Sequence, residues 1–336
     1  MSDAACMADA DFTPNPERSV WIYGEIDRAL LERIRPKVLE LTSASREPIT
    51  VFIESEGGKT KVAEEILRLL RSTSEDGDKQ PCPLITVASK KAESAAAFIL
   101  AAGDHAIAPP DTKLLYHSTH ISLPYPVTER WGRLVLESLQ KSNREHAIAL
   151  AECVAPRLGF LLLALQLTFE ECRKNAGSCE MSDLQCLIAA IRPNVSLGAQ
   201  RILDRAASHA EDDERLFLRF QWAGVDGLEL SYDDDASSRL RCLFRKDGDF
   251  VIGPGKGLRE VSDRLFIEDP KCQKAARDFF RRRDPLADGD SVELSDFLPF
   301  WRLSLSLSDA LNDGENVLTP IDALWFGLVD TVREAP

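Results

Sequence analysis

The alternation of short apolar runs with amphipathic segments between residues 20 and 116 constrains the fold of this chain more than any other pattern. The runs have the length of strands and carry few polar residues, which is typical of strands buried on both faces of a sheet. They occupy 20–23, 49–53, 84–88, 106–108 and 114–116. Segments of helical character fill the first three gaps. This order predicts an α/β fold in which helices cover a largely parallel sheet.

Three short segments at the ends of these runs carry residues suited to nucleophilic catalysis. Gly57 and Gly58 open a helix, where free N–H groups can hold a developing negative charge. Ser94 stands where a strand leads into the next helix, and the N–H of Ala95 follows it. His117 ends a strand, and a neutral imidazole there can take the serine proton and return it to a leaving amine. Singly these residues suit a turn, a helix cap and a structural histidine, so only their combined order indicates catalysis.

In order and spacing, residues 18–118 resemble the proteolytic subunit of the Clp protease, the ClpP family, which shares its fold with the crotonases. The family's Ser-Pro-Gly-Gly oxyanion loop is similar to residues 55–58. Its nucleophile segment, Gly-x-Ala-Ala-Ser-x-Gly-Ala-Phe-Leu-Leu-x-Ala-Gly, is similar to residues 90–103, and its Pro-Asn-Ser-x-x-x-x-His segment is similar to residues 110–117. The resemblance implies repeated βα units of the ClpP/crotonase type and a serine peptidase.

The same resemblance implies roles for individual residues. Ser94 corresponds to the nucleophile and His117 to the base, while the backbone amides of Gly58 and Ala95 correspond to the oxyanion hole. These roles are those of a Ser-His-acid triad with backbone stabilisation of the oxyanion.

A second stretch of resemblance, near the C-terminus, contains the candidates for the acid of the triad. Residues 314–330 resemble the family's Arg-Asp-x-x-Leu-Thr-Pro-x-Glu-Ala-x-x-x-Gly-Leu-Val-Asp segment, and the triad aspartate of the family falls on Glu315. A glutamate can orient a histidine as an aspartate does, but its reach differs. Asp313, two residues earlier, is the alternative.

Acidic residues around the expected nucleophile depart from the family's pattern. Glu93 directly precedes Ser94, Glu56 replaces the proline of the oxyanion loop, and Lys90 replaces the glycine that opens the nucleophile segment. Carboxylates near an oxyanion hole oppose the charge that the hole must stabilise. If these residues and Glu54 face the site, low activity or a required rearrangement follows, whereas nothing follows if they face solvent.

Three functions are therefore weighed. The first is a ClpP-like serine endopeptidase that hydrolyses peptides or unfolded protein chains. The second is a catalytically weak or inactive ClpP-like subunit that acts in assembly or partner recognition, since a fold alone does not fix a function. The third is a crotonase-type enzyme acting on an acyl-CoA thioester, in which the serine and the histidine are incidental.

The domain organisation follows from where the resemblance holds. We predict a flexible tail at 1–17, a ClpP-like peptidase domain formed by 18–175 and 313–336, and an inserted mixed α/β segment of unknown function at 176–312. A long helix is predicted over 127–153. Within the insertion, helices are predicted at 199–209 and 275–283, strands at 228–232 and 240–244, and a turn at 246–249.

The composition limits the expected partners and location. The net charge of −14 disfavours binding to nucleic acid or to anionic membranes. No apolar run reaches the roughly 18 residues of a membrane span, and the N-terminus lacks a signal pattern, so a cytoplasmic protein is expected. The eight cysteines form no CxxC pair, and neither a metal nor a cofactor is expected. The family resemblance implies a homo-oligomer, and the absence of a Walker A motif means that any ATPase unfoldase would be a separate partner.

Overall fold

The computed structural model describes residues 13–72, 81–121, 128–164, 183–212, 220–222, 228–230 and 294–333 of the 336-residue chain. These residues fall into two compact units. The first unit, an α/β unit, contains the described residues up to His117 and those from Glu315 onward. The second unit contains the described residues of Ser118–Gly314.

The N-terminal part of the α/β unit alternates strands with helices, as the sequence predicts. Its elements are β1 (Ser19–Tyr23), α1 (Arg28–Ala44), β2 (Ile49–Ser55), α2 (Thr60–Leu70), β3 (Leu84–Glu93), α3 (Ala95–Ala101), β4 (His105–Ala108) and β5 (Lys113–His117). Helix α1 begins after Asp27, whose carboxylate accepts the N–H of Leu30 at 2.9 Å. Asn15, which precedes β1, is bound to β2, because its N–H donates to Thr50 Oγ1 at 2.8 Å.

The second unit is mainly helical among its described residues. It contains α4 (Glu129–Ala164), α5 (Asp183–Ile191), α6 (Leu197–Asp212), the short strands β6 (Phe220–Trp222) and β7 (Leu228–Leu230), and α7 (Leu294–Leu311). Helix α7 packs against α4, α5 and α6. Helix α4 extends beyond the predicted 127–153, and α6 includes the predicted 199–209. The predicted strand at 240–244, turn at 246–249 and helix at 275–283 lie outside the described residues.

The chain returns to the α/β unit through β8 (Glu315–Leu318), α8 (Pro320–Trp325) and β9 (Thr331–Val332). Helix α8 begins with a capping box, in which the Thr319 hydroxyl accepts the Asp322 N–H and the Asp322 carboxylate accepts the Thr319 N–H, both at 3.1 Å. This return adds two strands to the sheet that the N-terminal part began.

The sheet runs in the order β1-β2-β3-β4-β9, and every neighbouring pair in this order is parallel. Strand β5 is parallel to the end of β3, and β8 is antiparallel to β5. Strand β2 is buried along nearly its whole length, which explains its continuous apolar sequence. The predicted α/β class with a largely parallel sheet is confirmed.

Strand β3 is longer than the sequence predicts. The apolar run ends at Ala88, but the strand continues to Glu93, and α3 begins at Ala95. The extension exists because Lys91 and Glu93 pair with β5, and Ala92 pairs with β2. Ladder hydrogen bonds thus hold polar residues in a strand that their own pattern does not indicate.

Candidate active site

The backbone at Ser94 is strained. Its φ of +56° makes it the one non-glycine residue with a positive φ among the described residues, and its ψ is −125°. The Ser94 N–H donates to the Leu115 carbonyl at 2.7 Å, and the Ser94 carbonyl accepts the Phe98 N–H at 3.2 Å. Although Ser94 stands at the N-cap of α3, its side chain makes no capping hydrogen bond. The helix-cap interpretation of this serine therefore fails, and a strained strand-to-helix turn that presents a hydroxyl remains.

Gly57 and Gly58 bring the loop after β2 into contact with its neighbours. Their φ values are +93° and +148°, which favour glycine. A Cβ on Gly57 would lie 2.7 Å from Ser94 Cβ and 2.6 Å from the Glu93 carbonyl oxygen. A Cβ on Gly58 would lie 2.4 Å from the carbonyl oxygen of Ile26. A side chain at Gly57 would thus displace the loop from the turn that carries Ser94.

Hydrogen bonds fix this loop on the side of β1. The Ile26 N–H donates to the Gly57 carbonyl and the Lys59 N–H donates to the Ile26 carbonyl, each at 2.8 Å. The Gly57 N–H donates to Ser55 Oγ at 3.0 Å, and the Ser55 hydroxyl donates to the Gly24 carbonyl at 2.5 Å. Because Ile26 bonds to the residues on either side of Gly58, the Gly58 N–H is directed away from Ile26.

Two backbone amides are available beside the serine. No hydrogen bond between described residues uses the N–H of Gly58 or that of Ala95. Ala95 is the first residue of α3, so its N–H has no partner within the helix. Backbone amides without a partner are the kind of group that can stabilise an oxyanion.

The sheet register sets His117 two residues beyond Leu115, the ladder partner of Glu93. Glu93 pairs with Leu115 in the parallel β3–β5 ladder, so Ser94 lies beside the last residues of β5. In the antiparallel β5–β8 ladder His117 lies directly opposite Glu315. Side chains of directly opposed residues project from the same face, with Cβ atoms about 4.5–5.5 Å apart.

Asp313, the other candidate acid, belongs to the second unit. Its Oδ2 atom lies 3.8 Å from Nε of Arg205. Of the two candidate acids, Glu315 is thus the one that the sheet ladder sets opposite His117.

The amino-acid sequence of residues 13–129 matches the family model described as Clp protease. These residues belong to the Clp protease family. The matched segment contains all four residues expected to supply the nucleophile, the base and the oxyanion hole, whereas both candidate acids lie outside it. No curated protein matches the chain. The predicted family and the ClpP-like α/β fold are confirmed, and at the family level this segment is a ClpP-like peptidase domain.

Lysines accompany every acidic residue that departs from the Clp protease pattern around Ser94. The three ion pairs, with their N–O distances, are Lys90–Glu54 at 3.6 Å, Lys91–Glu56 at 2.5 Å and Lys113–Glu93 at 2.8 Å. Glu54 and Glu93 are 19% and 15% exposed, whereas Glu56 is 74% exposed. The hydrogen bond and positive charge of Lys91 hold the pKa of Glu56 below its ordinary value. Each of these carboxylates is therefore paired with a lysine, whose positive charge offsets its negative charge.

Sequence reasoning weighed these glutamates alone and missed the lysines that pair with them. The signal lies in the ladder register at the end of β3, which sets Ser55 opposite Ala92 and Lys91 beside Lys113. Since that register follows from the extended β3, a strand ending at Ala88 could not reveal it.

The described residues offer no group of histidine, cysteine, aspartate or glutamate side chains that could hold a metal ion. Cys82 and Cys153, both within the described part of the chain, form no disulfide. Among the same residues, no helix combines the length and the apolar character that crossing a membrane requires.

Proposed function

We propose that this chain is a ClpP-like serine endopeptidase that hydrolyses peptides or unfolded protein chains. The observation that carries the proposal is the strained Ser94 turn, which lies against Gly57 and beside the end of β5. Strain of this kind persists where the surrounding structure over-determines it, and it concentrates at active sites. A serine that caps no helix and still adopts this conformation fits a nucleophile.

In the proposed mechanism His117 takes the proton of Ser94 Oγ as the oxygen attacks the carbonyl carbon of the scissile peptide bond. The N–H groups of Gly58 and Ala95 stabilise the oxyanion that forms. His117 then gives the proton to the leaving amine, which leaves an acyl-enzyme on Ser94. Water hydrolyses this ester with His117 again acting as the base.

Glu315 is the proposed third member of the triad. Its position opposite His117 in the β5–β8 ladder supports this role, because a carboxylate there can orient the imidazole and stabilise the imidazolium. Asp313 is the alternative, and comparison of Glu315→Gln with Asp313→Asn distinguishes the two.

We also propose that the chain forms a homo-oligomer and receives unfolded substrates from a separate ATPase. Membership of the Clp protease family supports both points. Exposed apolar side chains on α4, Trp131, Leu134 and Leu136, at 42%, 54% and 55% exposure, support an assembly contact. Light scattering of the purified chain would measure the assembly, and a uniformly monomeric protein would contradict it.

The proposed activity is tested by degradation of a fluorescently labelled unfolded protein and of short peptides. Wild type is expected to cleave them, and Ser94→Ala and His117→Ala are each expected to lose that activity. Cleavage that survives Ser94→Ala would reject Ser94 as the nucleophile. If no cleavage occurs and coenzyme A binds tightly, the crotonase-type alternative would replace the proposal.

A further inference from the structure

One ion pair joins the oxyanion loop to the strand that leads to the nucleophile. Nζ of Lys91 lies 2.5 Å from Oε1 of Glu56. Glu56 directly precedes Gly57 and Gly58, and Lys91 lies on β3 three residues before Ser94. The two sides of the proposed site are therefore linked by a side-chain contact.

Beyond Ser55, no ladder pair joins the oxyanion loop to β3, so the contact between them is made by side chains. The last ladder pair between β2 and β3 is Ser55–Ala92, after which the loop bonds to Ile26 and Gly24 on the side of β1. The Glu56–Lys91 pair continues the connection toward β3 at the point where the ladder stops. It therefore opposes movement of the loop away from the nucleophile turn.

Hydrogen bonds fix the loop on the side of β1, but on the side of β3 its two consecutive glycines have no comparable backbone restraint. The ClpP family has a proline where this chain has Glu56, and a proline ring would limit the loop by fixing φ. A displacement of the catalytic groups by about 1 Å can cost roughly a hundredfold in rate. Without that proline, other contacts must hold the Gly58 N–H at its position relative to Ser94.

Charged groups around the pair keep both partners ionised. Lys91 and the more distant Lys113 lower the pKa of Glu56. Glu56, together with Glu93 and Glu54, raises the pKa of Lys91. The attraction between the two side chains therefore operates throughout the neutral pH range.

We propose that Glu56 and Lys91 are positioning residues that clasp the oxyanion loop against the nucleophile turn. The clasp holds the Gly58 N–H where the oxyanion forms, in place of the stiffness that a proline would give. This inference rests on the proposed function of Ser94 and Gly58 and deepens it.

The test compares Lys91→Met, Glu56→Gln and the double variant in peptide hydrolysis and in the rate of fluorophosphonate labelling. Because an exposed ion pair makes a modest contribution, we expect each single variant to lower kcat by roughly two- to fivefold, with KM unchanged. The double variant should lose no more than a single one, since all three remove the same contact. Lys91→Arg keeps the cation and should restore most of the rate.

Lys37→Met is the matched control. It removes an ion pair with Glu40 at 2.8 Å on α1, where both side chains are exposed, and it should leave kcat unchanged. Unchanged kcat in Lys91→Met and Glu56→Gln, or losses that multiply in the double variant, would overturn the clasp.

Hydrogen exchange supplies a readout that does not require activity. The peptide covering residues 54–60 is expected to exchange faster in Lys91→Met and Glu56→Gln than in wild type, while residues 28–44 of α1 exchange equally. If exchange of 54–60 is the same in all three proteins, the clasp is refuted whatever the rates show. A wild type that never labels would reject the proposed function, and the exchange result would still decide the clasp.

Discussion

Replacing Ser94 by glycine is predicted to stabilise the protein while abolishing its activity. Ser94 has a φ of +56° and a ψ of −125°, and a non-glycine residue held in such a sparsely populated region costs roughly 1–3 kcal/mol. Glycine removes this cost but adds about 0.5–1 kcal/mol of backbone entropy to the unfolded chain. Since the Ser94 side chain makes no capping hydrogen bond, no cap is lost. The free energy of unfolding should therefore rise, by up to roughly 2.5 kcal/mol.

Ser94→Ala is the matched comparison, because it also removes the nucleophile but keeps a Cβ at the strained φ. Urea unfolding at neutral pH and one protein concentration should place Ser94→Gly above both wild type and Ser94→Ala in free energy of unfolding. Ala96→Gly within α3 shows the effect of glycine at an unstrained helical position and should destabilise by more than about 1 kcal/mol, because it also removes a buried methyl group. If Ser94→Gly is less stable than Ser94→Ala, the turn is not strained and the inference from backbone to nucleophile fails.

Three further predictions concern the loop, the acid and the ion pair. Gly57→Ala, whose Cβ would lie 2.7 Å from that of Ser94, should slow peptide hydrolysis at least roughly a hundredfold, and near-normal hydrolysis would contradict the packing. Glu315→Gln should lower kcat by about 10²–10⁴ and Asp313→Asn by less than about threefold, while the reverse order would make Asp313 the acid. The pKa of Glu56 is depressed below 4.5, so its ion pair stabilises the fold above that pH and is lost as the pH falls through the depressed pKa. The urea midpoints of wild type and Glu56→Gln should therefore differ at pH 7 and converge as the pH falls through the depressed pKa, and a constant difference would reject the pair's contribution.

The fold was predictable where burial alone decides the structure. Strands such as β2 are apolar along nearly their whole length because both faces of the sheet are covered, and this leaves a pattern in the sequence. The end of β3 was not predictable, since its polar residues are held by pairing with β5 rather than by their own burial. That pairing depends on residues more than 20 positions away in the chain, which a local pattern does not contain.

For the candidate site, the sequence pattern predicts residues but not their geometry. The order of Gly58, Ser94 and His117 along the chain is visible in the sequence, whereas the strained φ of Ser94 is not. Glu315 and Asp313 are two positions apart, and composition cannot separate them. The ladder register favours Glu315, because it sets this residue opposite His117.

Ser94 is proposed to be an activated nucleophile whose base is His117. The decisive measurement is intact mass spectrometry after reaction of the protein with a fluorophosphonate probe. Wild type is predicted to gain the mass of a single adduct, and Ser94→Ala and His117→Ala are predicted to gain none. The oligomer size is measured on the same samples, so that labelling is compared within one assembly state. An unlabelled wild type in every assembly state, or an adduct that persists in Ser94→Ala, would contradict the account.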